Sequence, residues 1–427
     1  MRDNLVKPSW RTYENGIIVM LFLTFGFLFL DRLAITFLFP FIKEDIPLNG
    51  TQIGLLVSGL GVTWAVSGYI FASLSDIIGS RKKFLIPATI GFSIFSVMSG
   101  IAKNFGTLLL ARGLMGASEG PVLPLAQATA AEESTPTRRG LNMGFLQSSS
   151  QLIGATIGPI VVTAVAVQYS WRAAFYIVAL PGLIMAALLW RFMKDRSQPT
   201  RKNTKRSNQL SLHEYMSVFK TRNVLLCVAI SICLMTWLFA YSTFAPNYFV
   251  ETGYSASEMS LIMAGIGFGS FVWMIVIPAL SDRLGRRLTF IIFAFIAVLS
   301  PMVFAIFHLP LWLAVLVAII LTTGNGLFPL FMVIIPSEAI SIAVITTSIA
   351  VVQLVGEIVG GTIMPTVAGI ASDEFGLSAP LWIAAVGALL AAIIGFGLVE
   401  TAPRRVAESS DYSGLDESHR PSTIRDI

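Results

Sequence analysis

Charge is what this sequence has least of. Only 12% of its 427 residues are Asp, Glu, Lys or Arg, where a water-soluble domain carries about 25%. A deficit of that size over the whole chain excludes an ordinary soluble fold and assigns most of the chain to lipid. Cysteine is nearly missing too. Cys227 and Cys233 share one apolar segment, which excludes a disulfide scaffold and a cysteine metal site. The three histidines fall at the edges: His213 in a polar loop, His308 at the end of an apolar run, His419 near the C-terminus. Without a His or Cys constellation there is no nucleophile–base pair and no ligand set to assemble. Neither an enzyme nor a bound cofactor or metal is expected. The formal net charge of +5 would suggest nucleic acid in a soluble chain. Here it fits Lys and Arg held on one membrane side, and no nucleic-acid partner is expected.

Hydrophobicity is what the chain has in excess, at 55% of residues. About 20 apolar residues cross a bilayer core. Hydropathy places spans at roughly 16–41, 51–73, 84–102, 106–131, 142–167, 172–193, 223–249, 257–280, 288–308, 311–335, 342–370 and 378–399. The expected fold is therefore an all-α membrane protein with twelve transmembrane helices, its outer surface partnered by lipid. No small-residue cleavage site follows a short apolar core, so a removed signal peptide is not expected. Twelve spans put both termini on one side. If that side is cytoplasmic, only Lys43, Lys103 and Arg172 of the 29 Lys and Arg residues face outside, while Arg32 and Arg112 lie within spans. That asymmetry predicts cytoplasmic termini, and the short loops predict a bacterial inner membrane. The expected organisation is an N-terminal segment 1–15, a six-helix bundle 16–193, a basic central loop 194–222, a second six-helix bundle 223–402, and a polar tail 403–427 of disordered composition.

The two bundles repeat one another. Ser75-Asp76-Ile77-Ile78-Gly79-Ser80-Arg81 aligns with Ser281-Asp282-Arg283-Leu284-Gly285-Arg286-Arg287, an offset of 206 residues. At the same offset Gln151 to Pro159 aligns with Glu357 to Pro365, and Gln147 with Gln353. Parallel six-span repeats are a transporter architecture with a substrate site near the midplane. Asp76, Gly79, Arg81, Lys82 and Lys83 resemble the signature loop of the major facilitator superfamily, and Asp282, Gly285, Arg286 and Arg287 resemble its second copy. Ala72 and Pro278 stand where the signature's first glycine is usual. The resemblance implies a major facilitator fold of two pseudo-symmetric bundles that alternates access. It implies a gating role for Asp76, Gly79, Arg81, Asp282, Gly285 and Arg287, in which ion pairs form in one state and break in the other.

Ionisable residues inside a membrane are costly and default to function. Away from span edges they are Asp31 and Arg32 in span one, Arg112 and Glu119 in span four, and Glu357 in span eleven. Arg112 and Glu119 are seven residues apart, so they share a face about 10 Å apart along the helix. Asp31 and Arg32 diverge by about 100°, so each is expected to find its partner on another helix, and span four offers one of each sign. Asp31-Arg32 followed by Ile35, with Arg112-x-x-x-Gly116-x-x-Glu119-Gly120, resembles the anion:cation symporter family, as does Ala245-Pro246-Asn247-Tyr248-Phe249. That resemblance implies uptake of an organic anion such as a sugar acid or aromatic carboxylate. It assigns Arg32 and Arg112 to anion binding and Asp31 and Glu119 to protonation.

Charge balance gives the same coupling independently. Two guanidinium groups balance two carboxylates in the empty site. An entering carboxylate takes an arginine fork, and the displaced acid picks up a proton, so the loaded site stays neutral. The expected partners are a small organic anion and H⁺, with Na⁺ as the other coupling ion, in a chain that works as a monomer. Gln147 and Gln151 share one face of span five and Gln353 and Glu357 repeat this on span eleven. These amides either bind substrate hydroxyls or bridge helices, and Glu357 is a second candidate proton site. Trp237 and Tyr241, one turn apart in span seven, and Asn325 in span ten are candidate cavity-liners. Gly154-x-x-x-Gly158 reads first as close helix packing. The competing readings are a proton-coupled exporter or antiporter of drugs or metabolites on the same fold, and more remotely a non-transporting receptor. A two-arginine site suits anions better than lipophilic cations.

Overall fold

The computed structural model describes residues 13–135, 138–195, 220–340 and 344–402. The expected N-terminal segment, central loop and tail lie mostly outside these residues. Among the described residues every regular element is helical. Within a bilayer, backbone N–H and C=O groups have no water to bond and must satisfy one another inside the segment. The passes are α1 (Tyr13–Asp45), α2 (Gly50–Ile78), α3 (Lys82–Gly100), α4 (Phe105–Glu119, continued as Val122–Glu133), α5 (Arg139–Gln168), α6 (Trp171–Phe192), α7 (Arg222–Glu251), α8 (Ala256–Leu284), α9 (Arg286–Ile306), α10 (Leu311–Glu338), α11 (Thr347–Phe375) and α12 (Ala379–Gly395). Ten of them are long and apolar enough to cross a bilayer. The other two are α4, which bends at Gly120-Pro121 and carries Arg112 and Glu119, and α12, which has 17 residues. All twelve expected spans are present. Several run on past their expected ends, as at Tyr13 and Asp45 of α1, because hydropathy stops at the first charges whereas helical hydrogen bonding continues.

The repeat is visible in how helices begin, end and bend. Asn49 opens α2 with a capping box to Gln52, and Ser255, 206 residues on, opens α8 with one to Glu258. Gly79 (φ 74°) and Gly285 (φ 97°) end those same two helices in backbone conformations that other residues avoid. Within α5 the stretch Ser150–Ile157 is π-helical, and within α11 so is Glu357–Ile363. The sequence cause is Pro159 and its repeat Pro365, which lack an N–H and push away the carbonyl four residues earlier. The displaced carbonyls belong to Ala155 and Gly361. Each faces a glycine across the interface, Gly267 of α8 and Gly61 of α2 respectively.

Two bundles result. In α1–α6, α3 packs on α4 and α6, α2 on α4, and α1 on α5 and α6; in α7–α12, α7 packs on α11 and α12, α9 on α12, and α8 on α10. The bundles meet along α2 with α11, α5 with α8, and α1 with α7. The seam is tightly closed at one end. Asp373 of α11 accepts hydrogen bonds from the N–H groups of Gly50 (2.6 Å) and Thr51 (2.8 Å) and from the Thr51 hydroxyl (2.6 Å). Lys43 of α1 pairs with Glu251 of α7 at 2.8 Å, and Ser58 meets Thr366 at 2.8 Å. At the other end α2 leaves Tyr69 and Ile77 exposed, and among the described residues Asp76 and Asp282 are paired only within their own bundles. The molecule is closed where α2 begins and open where it ends.

Candidate functional site

α1 places Asp31 and Arg32 on different faces, and they meet different surroundings. Asp31 is fully buried. Its Oδ1 accepts a 2.5 Å hydrogen bond from Ser96 of α3, and that hydroxyl lies 3.2 Å from the Phe175 carbonyl of α6. Arg32 turns toward α2, where its guanidinium carbon sits 5.0 Å from the Trp64 ring centroid and 5.6 Å from that of Phe29. Arg112 of α4, 2% exposed, donates from Nη2 to the backbone carbonyl of Arg32 (2.9 Å) and from Nη1 to the Met115 sulfur (3.1 Å). The two arginines therefore share one membrane level, as the helix geometry requires.

Glu119 is fully buried, and neither of its oxygens has a hydrogen-bond partner among the described residues; the same holds for Asp31 Oδ2 and Arg112 Nε. Glu119 feels the charges of Arg32 and Arg112, and Glu357 across the seam feels that of Arg32. α4 brings Glu119 to α2 through its two glycines. Gly116 lies on the Leu60 carbonyl, and Gly120 lies on the carbonyl of Trp64 and the Ser67 hydroxyl, leaving no room for a Cβ. The expectation of direct ion pairs between spans one and four is corrected here. Among the described residues none of the four charges forms one. The reason is rotational: Asp31 points into the bundle toward α3, while Arg112 reaches a backbone carbonyl rather than a carboxylate.

Arg32 and Arg112 line a small cavity of about 30 Å³ between the bundles, together with Leu33 and Thr36 of α1, Val57 and Leu60 of α2, and Phe239, Ser242 and Thr243 of α7. Glu357 lies just beside it, since its carboxylate and the Phe239 ring both flank Gly361.

None of the remaining candidates lines this pocket. Gln147 accepts a long 3.4 Å contact from Gln127, Gln151 is half-buried, and Gln353 is exposed. Tyr241 is buried away from the pocket, its hydroxyl 3.1 Å from Ser300 of α9, and the Trp237 indole donates to the Ala297 carbonyl at 3.1 Å. Asn325 donates to Ser270 of α8 at 2.7 Å, in a segment where α10 tightens to a 3₁₀ turn at Gly324–Leu327. In this conformation Trp237, Tyr241 and Asn325 fill the second bundle and do not line the cavity between the two. The cavity face of α7 is carried by Phe239, Ser242 and Thr243, turned away from the aromatic pair.

At the open end Arg81 joins Asp76 (3.1 Å) and Glu132 (2.7 Å). In the second bundle the corresponding arginine is Arg286, which joins Asp282 (2.5 Å) and Glu338 (3.0 Å). Arg287, the residue aligned with Arg81, donates instead to the Phe396 carbonyl at 2.8 Å. The difference is where the next helix starts: α9 begins directly after Gly285, whereas two residues, Ser80 and Arg81, intervene between Gly79 and α3.

Residues 21–361 match the sequence profile of the Major Facilitator Superfamily. The chain belongs to the major facilitator superfamily. It is a multi-pass membrane transporter by fold and family, not an enzyme. The curated relatives it resembles include a hexuronate transporter of Bacillus subtilis, 31% identical over 60% of this chain and 63% of that one. Another is a probable 4-methylmuconolactone transporter of Cupriavidus pinatubonensis, 26% identical over 92% of this chain and 91% of that one. The matched segment thus spans under two thirds of the first relative and nearly all of the second. Among solved structures, a bacterial homologue of the human lysosomal transporter Spinster, in an inward-facing and unoccupied conformation, superposes with a TM-score of 0.75. It has 18% identity over 90% of this chain and 97% of that one, a likeness of fold.

Several site residues escaped the reading from sequence. Trp64, Phe239, Ser242 and Thr243 carry no motif. Ser96 is one serine among many. Glu132 and Glu338 did leave a signal, since they stand 206 residues apart like the gate loops they anchor.

Proposed function

We propose that this chain imports a small organic anion by proton symport, alternating access to a site between its two bundles. The observation that carries the reading is the pocket wall itself, where Arg32 and Arg112 both face a small cavity at the seam. Planar guanidinium forks match carboxylates and stay charged at every relevant pH. On the second bundle Ser242, Thr243 and Phe239 offer hydroxyls and an aromatic face to the rest of the molecule, fitting a sugar acid or an aromatic carboxylate. The names of the two relatives, a hexuronate and a methylmuconolactone transporter, point to the same class.

Coupling follows from Glu119 and Asp31. Both are fully buried beside the arginines without an ion-pair partner, and a buried carboxylate without a partner is strongly disfavoured as an anion. An incoming anion that occupies the arginines removes what charge compensation remains, so the acid takes a proton and the loaded site is neutral. Bundles that rock around a neutral site carry no net charge through lipid. The end bearing Asp76 and Asp282 is assigned to the cytoplasm because the Lys and Arg residues gather there; both termini are then cytoplasmic, the membrane is the bacterial inner membrane, and the working unit is the monomer.

The test is lumenal pH in liposomes carrying the purified protein, after adding glucuronate, gluconate or benzoate outside. Acidification by one of them in a Na⁺-free medium supports proton symport and names the class. Uptake that requires Na⁺ and leaves pH unchanged overturns the coupling. No uptake of any organic acid overturns the reading altogether.

A further inference from the structure

The two arginines of the pocket are held in different ways. Arg112 is anchored through hydrogen bonds: Nη2 is taken by the Arg32 carbonyl and Nη1 by the Met115 sulfur. The Arg32 side chain forms no ion pair and donates no hydrogen bond among the described residues, although it lines the cavity. What holds its guanidinium is aromatic, Phe29 one turn back on α1 and Trp64 reaching across from α2. Trp64 is itself held on rigid backbone, because its carbonyl is the surface on which Gly120 of α4 packs.

We propose that Trp64 is the positioning residue that presents Arg32 to the transported anion, a role that rests on the anion reading of this pocket. A ring face attracts the cation through its quadrupole but accepts none of the in-plane N–H hydrogen bonds. The Arg32 fork is therefore restrained and yet keeps its donors free. A carboxylate in the position of Trp64 would hold the arginine more tightly and would compete with the substrate for the same donors. A small aliphatic residue would leave a long, rotamer-rich side chain to be ordered at each binding event. The clamp gives preorganisation without competition, and it sets the two arginines apart: Arg32 offers all its donors to the anion, while Arg112 meets it with the donors left after it fixes α4 to α1.

The experiment uses the full-length protein in liposomes, with whichever of glucuronate, gluconate and benzoate the wild type transports. Trp64→Leu is expected to raise KM about 3- to 30-fold, the span of a cation–π contact at partly buried sites, with maximal rate changed little. Trp64→Phe, which keeps a ring face, is expected to bring KM back to within about threefold of wild type. A second readout is independent of transport: binding the same acid to wild type should change tryptophan emission, and Trp64→Phe should abolish that change although seven other tryptophans of the eight remain. An unchanged KM in Trp64→Leu overturns the proposal, and so does an emission change that persists in Trp64→Phe. If Trp64→Leu does not fold, the emission measurement decides alone. A wild type that neither takes up nor exchanges any of the three acids overturns the anion reading itself, an outcome distinct from a transporting wild type that is indifferent at position 64.

Discussion

Asp373, at the C-terminal end of α11, closes the first turn of α2 by accepting from both the N–H and the hydroxyl of Thr51. The contact joins the two bundles across 322 residues of sequence. It places a carboxylate on a helix N-terminus, where free N–H groups and the helix dipole favour negative charge. Lys43 adds its charge nearby while pairing with Glu251. A transporter that alternates has to release this contact once per cycle, so its strength helps set how the two states are populated.

Asp373→Asn keeps the side-chain shape and removes the charge. An exposed anion at a helix N-terminus is worth about 0.3–1 kcal/mol, so the population open at this end should rise about two- to fivefold. Distances between spin labels on the closed end of α2 and α11 report that shift. Thr51→Ala should act in the same direction by less. No change in either variant would mean that apolar packing alone holds the seam.

Gly54 of α2 lies against the backbone of Pro365 and Thr366 with no space for a Cβ. Gly54→Val should therefore prevent closure of this end without disturbing the interior of either bundle. The expected signature is near-wild-type thermal stability with the label distances moved to the opposite state. A large loss of stability with unchanged distances would place the strain inside a bundle instead.

Glu119→Gln should keep exchange of labelled for unlabelled acid and lose uphill accumulation, because an amide occupies the buried site without carrying a proton. Counterflow and pH-gradient-driven uptake, measured side by side in liposomes, separate the two. Accumulation that survives in Glu119→Gln but fails in Asp31→Asn would move the coupling role to Asp31. Survival in both would remove it from this cluster.

Arg286→Ala should impair transport far more than Arg287→Ala. Arg286 bridges Asp282 and Glu338, and its loss leaves two carboxylates facing each other at the open end. The Arg287 side chain donates to the Phe396 carbonyl and, among the described residues, pairs with no carboxylate. Equal effects, measured as uptake rate at matched membrane abundance, would mean the salt-bridge cluster has no part in gating.

Alignment alone would have assigned the stronger effect to Arg287, and this marks where reading the sequence stops. A repeat aligns residues by number, but α9 starts two residues sooner after its glycine than α3 does, and the contact passes to the neighbouring arginine. The aromatic pair Trp237 and Tyr241 shows the same limit. Helical spacing put them on one face of α7, correctly, yet spacing does not say which face meets the cavity and which meets α9. By contrast Asp31, Arg32, Arg112 and Glu119 were legible individually, because an ionisable group in an apolar span is conspicuous wherever it points.

The twelve-helix, two-bundle architecture and the membrane level of the four charges in spans one and four were readable without the structure. Hydropathy, the 206-residue repeat and a fixed rise of 1.5 Å per residue are local or periodic properties, and they survive without knowledge of any neighbour. What each charge touches emerged from helix packing: Asp31 with Ser96, Arg112 with a backbone carbonyl, Arg32 with Trp64. Those partners come from other helices, and their choice depends on rotations of a few tens of degrees about helix axes. Such rotations are set by glycines that let α2 and α4 approach and by prolines that widen α5 and α11. Small changes in packing there redirect a side chain without altering a single span.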